Sequence, residues 1–189
     1  MLTPLPRRAH PKDPGFSLLE VLVVLALLAL LATLAAPSFK AFRHKHQMQS
    51  QAEQLQASLM LARSEALRRQ QRVTLCIRDA KQACAAAGSW AQGWLVFVDD
   101  NQNTWREADE TILQLHAAAP GFLTIQGNAT VDRFVSYAPS GRSQSRSGAF
   151  QAGTIRLCGA GQADAWRVVI NAVGKPRLEK ARADTPTDC

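Results

Sequence analysis

The apolar residues of this chain are concentrated in one early block, which runs from Phe16 to Ala36 and contains a single charge, Glu20. As a helix, this block would be about 31 Å long, enough to cross the hydrocarbon core of a bilayer. We therefore predict a membrane-spanning helix over residues 16–37. Residues 1–15 before it contain four prolines and a net charge of +2. They should stay unfolded on the cytoplasmic side, which sends the rest of the chain across the membrane.

A second apolar pattern follows the block. Apolar residues recur at spacings of three and four along the next segment, at Met48, Ala52, Leu55, Leu59, Ala62 and Ala66. This spacing predicts a helix with one apolar stripe, whose second half lies on a soluble domain. We expect this amphipathic half to occupy residues 38–72. The charges between Arg63 and Arg72 are interpreted as a solvated face of the helix.

From Val73 onward the pattern changes to short β-type runs separated by Gly, Asn, Pro and Ser. The candidate strands are Val73–Ile77, Trp94–Val98, Ile112–Leu115, Phe122–Ile125, Phe134–Tyr137, Thr154–Leu157 and Trp166–Val173. Their spacing favours a largely antiparallel β head domain over residues 73–189. The predicted fold class is α+β, a long N-terminal helix packed on this head. A turn at residues 174–176 should follow the last strand and present Lys175 and Arg177.

The four cysteines, Cys76, Cys84, Cys158 and Cys189, all lie beyond the apolar block. If the head is translocated, they lie in an oxidising compartment, where disulfides persist. Four cysteines allow three pairings. Cys76 and Cys84 flank a short polar link and form the obvious local pair, which leaves Cys158 with Cys189 to tie down the C-terminal tail. Because no pair has a C-x-x-C spacing, we expect structural disulfides and neither a redox nor a metal site.

Glu20 distinguishes the early block from a plain signal anchor. An acid at the centre of a bilayer costs about 2.5–3.5 kcal/mol, so Glu20 needs a partner. Cleavage after Gly15 would supply one, because the new amine of Phe16 would be positive and one helical turn from Glu20. In an assembly of parallel helices, Glu20 of one copy could meet the Phe16 amine of a neighbouring copy.

The segment Gly15-Phe16-Ser17-Leu18-Leu19-Glu20 resembles the class III signal of type IV prepilins and type II secretion pseudopilins. The resemblance implies that a prepilin peptidase cuts between Gly15 and Phe16 on the cytoplasmic face and methylates the new amine. Residues 1–15 are then a removable leader. The apolar stretch serves first as a membrane anchor and later as the packed core of a filament.

Motifs of catalysis are missing: the sequence contains no G-x-S-x-G, no glycine-rich phosphate loop and no H-E-x-x-H. We expect no enzyme activity and no cofactor. One local pattern, at Asp99, Asn101, Asn103 and Glu110, fits positions 1, 3, 5 and 12 of a calcium loop, but Thr104 replaces its glycine. A loop between two strands explains the same residues, and we favour that interpretation.

Charge is the stronger functional signal. The basic residues of the last third of the chain are Arg133, Arg142, Arg146, Arg156, Arg167, Lys175, Arg177, Lys180 and Arg182. Only Asp164 and Glu179 oppose them, so this stretch carries +7. Such a patch suits phosphate backbones. On charge alone, a solvated basic surface that keeps the head soluble is the simpler interpretation.

The mature chain also resembles the GspH/FimT group of minor pilins and pseudopilins. Its landmarks are VTLC at 73–76, GWLVFVD at 93–99, SGR at 140–142, TIRLC at 154–158, VIN at 169–171 and GKPR at 174–177. FimT-like members are implicated in natural transformation, in which the minor pilin binds incoming DNA, and their C-terminal motif is Gly-Arg-x-Arg. Here it reads Gly174-Lys175-Pro176-Arg177. Lysine in place of the first arginine keeps the positive charge but cannot make arginine's bidentate hydrogen bonds to a phosphate.

This resemblance implies a type IV pilin-like fold and a minor pilin that enters a type IV pilus and binds double-stranded DNA nonspecifically. The residues expected to bind DNA are Lys175, Arg177, Lys180 and Arg182, helped by Arg142 and Arg146. The expected partners are other major and minor pilins, the prepilin peptidase and the inner-membrane assembly platform. The chain would cross the inner membrane once, with its head in the periplasm, or outside the cell in the assembled pilus. Two alternatives stay open: a GspH-like pseudopilin of type II secretion, and a pilus-priming minor pilin without DNA binding.

Overall fold

The computed structural model describes residues 15, 17–161 and 164–182, and at residues 34–38 and 182 it describes the backbone alone. The chain divides between Lys40 and Ala41 into two compact units. One helix, α1 (Leu18–Arg69), begins in the first unit and ends in the second. In the described part of the chain, no helix reaches the length and hydropathy of a membrane-crossing segment.

The second half of α1 buries the predicted apolar stripe. Every stripe residue from Met48 to Ala66 has no exposed surface. Polar contacts fix the helix in its place, since the indole Nε1 of Trp94 donates a hydrogen bond to Ser58 Oγ over 3.0 Å. The helix ends at Arg69, and Gln70 takes a left-handed backbone conformation with φ of 56°. The amphipathic prediction is therefore confirmed.

The described residues after α1 form eight β-strands and one short 3₁₀ turn at Trp90–Gln92. The strands are β1 (Val73–Ile77), β2 (Trp94–Val98), β3 (Ile112–Leu115), β4 (Leu123–Gly127), β5 (Phe134–Tyr137), β6 (Gly153–Gly159), β7 (Asp164–Ile170) and β8 (Pro176–Arg182). They build two four-stranded sheets, β3-β2-β1-β5 and β4-β6-β7-β8. Neighbouring strands are antiparallel throughout both sheets. A helix packed on antiparallel sheets confirms the predicted α+β fold class.

The sequence interpretation was wrong about β8, for which it predicts no strand. The segment Pro176–Arg182 contains a proline, a glutamate and a lysine, which are residue types depleted in strands. It lies at the edge of its sheet, where such residues are tolerated. β8 pairs with β7 along its whole length, from Ile170↔Pro176 to Asp164↔Arg182. This pairing stabilises a strand that the composition of the segment does not predict.

A single core joins α1 to both sheets. Buried residues of the helix pack with Leu75 and Val96 of the first sheet and with Leu157 and Val168 of the second. β1 and β2 are buried along their whole length, because a smaller cluster around Leu95 covers their other face. The core therefore leaves the loops and the outer face of the second sheet to carry function.

Candidate functional site

Two turns meet at one end of the second sheet. The turn between β7 and β8 is closed by Gly174, whose N–H donates to the Asn171 carbonyl over 2.8 Å. The N–H of Lys175 donates to Asn171 Oδ1, also over 2.8 Å. The second turn follows β5, where the Gly141 N–H donates to the Ala138 carbonyl over 2.8 Å. The predicted turn before Pro176 is thus present.

The contact between these turns depends on a glycine. A Cβ at Gly174 would lie 2.7 Å from the backbone nitrogen of Ser143 and 2.9 Å from the carbonyl oxygen of Gly141. Gly174 also has a φ of +78°, which side-chain-bearing residues rarely adopt. Both constraints select glycine and let the backbone of Gly141 and Ser143 approach Gly174, next to Lys175. We call residues 138–143 and 171–175 the turn junction.

Helix α1 contributes a further cation to the turn junction. The Nε of Arg63 donates to the carbonyl oxygen of Gly141 over 2.9 Å. Arg63 and Lys175 also line a shallow groove of about 230 Å³, floored by Met60, Leu67 and Pro176. The sequence interpretation of Arg63 as a solvated charge misses this role. Because 78 residues separate Arg63 from Gly141, no local sequence pattern could have revealed it.

Arg177 lies just beyond the turn junction, on the outer face of β8. Its Nη2 is 3.2 Å from a carboxylate oxygen of Glu179, and 60% of its side chain is exposed. The outer face also carries Arg156 and Arg167, which are directly opposite each other on β6 and β7. We call Arg63, Arg142, Lys175 and Arg177 the basic cluster.

The remaining residues of the predicted DNA site lie elsewhere. Lys180 is three residues from Arg177 in the same strand and so points to the other face. Its Nζ is 3.4 Å from the Asp164 carboxylate, which also lies 3.1 Å from Lys45 Nζ. Hydrogen bonds from Lys45 and then Lys180 lower the pKa of Asp164. Arg146 contacts Thr104, in the loop before β3, and the side chain of Arg182 is outside the described residues.

The predicted cleavage signal coincides with the start of α1. Gly15 is exposed, and Phe16 lies outside the described residues. Ser17 Oγ accepts a hydrogen bond from the Glu20 N–H over 3.2 Å, which caps the helix. Glu20 is exposed in the first turn, where the helix dipole favours a negative charge. Helix capping thus explains the local placement of these two residues and leaves the Glu20 carboxylate open to a partner.

Cys76 and Cys84 form a disulfide, with 5.6 Å between their Cα atoms. This confirms the predicted local pair. Both residues are buried, beside Phe97 in the smaller core cluster. The other predicted pair, Cys158 with Cys189, stays a prediction because Cys189 lies outside the described residues.

The acidic loop between β2 and β3 uses its carboxylates for its own backbone. Asp99 Oδ2 accepts hydrogen bonds from Thr74 Oγ1 over 2.8 Å and from the Thr104 N–H over 3.1 Å. The Glu110 carboxylate accepts the N–H groups of Asp100 and Glu107 over 3.0 and 2.9 Å. Within the described ranges, no group of three or more potential ligands could hold a metal ion. The structure therefore supports the loop interpretation.

Burial sets the ionisation of this loop. It is the main cause that raises the pKa of Glu110 to about 7, and a side-chain hydrogen bond with Glu107 contributes to this rise. The pKa of Glu107 is lowered, mainly by the amide of Asn103. The pKa values of these two neighbouring carboxyl groups are therefore shifted in opposite directions, and a proton binds more readily to Glu110 than to Glu107.

Comparison with protein families identifies the chain over most of its length. The family model "Type II transport protein GspH" matches residues 51–174, and the model "Prokaryotic N-terminal methylation motif" matches residues 11–36. The chain belongs to the GspH family. The predicted relationship to GspH/FimT-like minor pilins and pseudopilins is thus confirmed. No curated protein sequence matches the chain.

Comparison with solved structures finds a minor pilin and a minor pseudopilin. The type IV minor pilin FimU of Pseudomonas aeruginosa is 21% identical, with a TM-score of 0.53, over 73% of this chain and 92% of that chain. The minor pseudopilin EpsH from the Type 2 Secretion System of Vibrio cholerae is 12% identical, with a TM-score of 0.48, over 74% of this chain and 99% of that chain. The likeness to FimU confirms the type IV pilin-like fold of this GspH-family chain.

Proposed function

We propose that this GspH-family protein is a minor pilin that enters a type IV pilus and binds double-stranded DNA nonspecifically through the basic cluster. The prepilin peptidase removes residues 1–15 and methylates Phe16. Residues 16–37 anchor the chain in the inner membrane, with the head in the periplasm until the inner-membrane assembly platform adds it to other pilins. Glu20 then pairs with the Phe16 amine of a neighbour. The role is structural and binding, with no catalysis.

The turn junction is the observation that carries the DNA proposal. Its Gly174 contact packs the turn of Lys175 against the loop of Arg142, and it holds Arg63 by the hydrogen bond to Gly141. Arg177 follows two residues later on an exposed face. Cations fixed at one end of a sheet by glycine contacts form a rigid surface for phosphates. They do not read base edges, so the binding is nonspecific and falls with salt.

A binding titration tests this proposal. The full chain in detergent is titrated against a fluorescent DNA duplex at several salt concentrations, as wild type and as Lys175→Ala/Arg177→Ala. Each lost phosphate contact lowers the slope of log affinity against log salt by about 0.9, so the double variant should lose about 2 from the slope. Lys180→Ala is the matched control, because Lys180 pairs with Asp164 on the other face.

Two outcomes contradict this assignment. If wild type does not bind the duplex at low salt, DNA binding itself is wrong. If the double variant and Lys180→Ala retain equal affinity and equal slopes, the basic cluster is not the site.

The family match favours a second candidate, a pseudopilin of type II secretion, because the matching model is described as a type II transport protein. In that role the head would contact other pseudopilins, and its basic surface would only keep it soluble. Co-purification with secretion pseudopilins rather than pilins, together with no duplex binding at low salt, would favour this candidate.

A further inference from the structure

The head contains a second cavity, separate from the basic cluster, with a volume of about 460 Å³. Its walls include the Cys76–Cys84 disulfide, and the chemistry-bearing side chains around it are Thr104, Trp105, Arg133, Phe134 and Arg146. This volume lies within the range of cavities that hold small ligands. Two aromatic rings and two guanidinium groups thus line one cavity.

The acidic loop positions one wall of this cavity under strain. Thr104 has a φ of 64°, which is unfavourable for a β-branched residue. The bond from its N–H to the buried Asp99 carboxylate stabilises this conformation. It leaves Thr104 Oγ1 to accept hydrogen bonds from Nε and Nη2 of Arg146 over 3.3 and 3.2 Å. Strain held by surrounding structure is typical of functional positions.

The hairpin that carries Arg146 is fixed by the same buried network. Arg72 is only 7% exposed, and it donates to the Ser145 carbonyl over 3.3 Å and to Gln144 Oε1 over 3.4 Å. It also donates to Ser136 Oγ, which forms a hydroxyl–hydroxyl hydrogen bond with Thr74 Oγ1 over 2.8 Å. The two loops that flank the cavity are therefore held from within the first sheet.

The lining of the cavity fits a flat apolar group that carries an anion. Trp105 is 38% exposed, and Phe134 packs on the disulfide cluster and is half-buried. Arg133 makes an ion pair with Asp132 over 3.4 Å that is about half exposed on both sides, and such pairs contribute little stability. Arg133 also donates an exposed hydrogen bond from Nη1 to the Ala86 carbonyl over 3.1 Å, which leaves the remaining N–H groups of the guanidinium for an anionic ligand.

We propose that this cavity binds one nucleotide of single-stranded DNA, with the base on Trp105 and Phe134 and the phosphate on Arg146 and Arg133. The inference rests on the proposed DNA-binding function and extends it to unpaired DNA. Bases in a duplex are stacked on each other and cannot reach such a cavity, whereas unpaired bases stack on aromatic side chains whatever their sequence. The basic cluster would hold the duplex, and the cavity would hold its frayed or single-stranded end.

The test compares the two forms of DNA on the full chain in detergent. A fluorescent oligothymidine and a duplex of the same length are titrated against wild type, Trp105→Ala and Lys175→Ala/Arg177→Ala. Trp105→Ala should weaken single-strand binding about 5- to 150-fold, the loss of one stacked base, and leave duplex binding within about twofold. The lysine–arginine variant should chiefly weaken duplex binding. Phe150→Ala is the matched control, because Phe150 is 70% exposed in the same hairpin and does not line the cavity.

Two further measurements keep the proposal falsifiable if Trp105→Ala does not fold. Trp105→Phe should restore most of the single-strand affinity, because it keeps an aromatic face. Arg146→Gln should weaken binding of free thymidine monophosphate more than binding of thymidine.

Three results would overturn the inference. Equal single-strand affinity of Trp105→Ala and Phe150→Ala excludes stacking on Trp105. Stronger competition by an acidic, aromatic peptide than by thymidine monophosphate makes the cavity a peptide site. If wild type binds the duplex but shows no binding of the single strand that depends on the cavity residues, only this inference is rejected and the proposed function stands. Failure of wild type to bind either DNA rejects the proposed function, and the thymidine monophosphate titration then decides on the cavity alone.

Discussion

Replacing Gly174 by alanine tests the turn junction that organises the basic cluster. The added Cβ would lie 2.7 Å from Ser143 N and 2.9 Å from the Gly141 carbonyl oxygen, at a φ of +78°. The left-handed conformation costs a residue with a side chain about 1–2 kcal/mol. Overpacking against backbone adds about 1–3 kcal/mol. We expect Gly174→Ala to lower the free energy of unfolding by about 2–5 kcal/mol in total.

A second glycine separates these two costs. Gly148 has a φ of +84°, but no described atom lies within 4 Å of its added Cβ. Gly148→Ala should therefore lose only the conformational cost of about 1–2 kcal/mol. Urea unfolding of the full chain in detergent measures both variants through the fluorescence of Trp90 and Trp94, which are fully buried.

The two variants must differ if the turn junction is tightly packed. Equal losses for Gly174→Ala and Gly148→Ala would refute the close contact with Gly141 and Ser143. Under conditions where Gly174→Ala stays folded, its duplex affinity should also fall, because the added Cβ pushes the turn that carries Lys175 away from Gly141 and Ser143. Unchanged duplex affinity in a destabilised variant would separate the fold of the turn junction from DNA binding.

Two further predictions concern the rest of the head. Because burial raises the pKa of Glu110 to about 7, its contribution to stability is complete below about pH 4.5 and is lost as the pH rises through about 7. Unfolding free energy should therefore fall by roughly 1–3 kcal/mol between about pH 5 and pH 8 in wild type, and much less in Glu110→Gln; identical pH profiles would contradict this. The Cys76–Cys84 disulfide spans eight residues, so Cys76→Ala/Cys84→Ala should lose about 2–3 kcal/mol in urea unfolding. A midpoint equal to that of wild type under oxidising conditions would count against that estimate.

The sequence predicts the elements that have a strong local period. The apolar stripe from Met48 to Ala66 can be recognised from its spacings of three and four residues alone. All of its residues are buried in the structure. β2 is a continuous apolar run and β1 is one except for Thr74, and the predicted bounds of both agree with the structure. β8 has no such apolar run or period, and only its pairing with β7 identifies it as a strand.

The candidate sites are predicted less completely, because they depend on contacts between distant residues. Net charge points to the segment that contains Lys175 and Arg177, but it cannot show that strand alternation turns Lys180 to the other face. Arg63 joins the basic cluster only through its hydrogen bond to the carbonyl of Gly141, which is distant in the sequence. Arg146 belongs with Trp105 only because a buried network holds both loops, and no spacing in the sequence encodes that contact.

Recovery of the protein from sheared filaments tests whether it is a pilin that assembles through Glu20. Wild type and Glu20→Val are expressed in cells that make type IV pili, and the filament and membrane fractions are examined by N-terminal sequencing and immunoblotting. We expect wild type in the filaments with Phe16 as its first residue, and Glu20→Val inserted in the membrane but missing from the filaments. Absence of wild type from the filaments, or equal recovery of Glu20→Val in them, would contradict the proposed assembly.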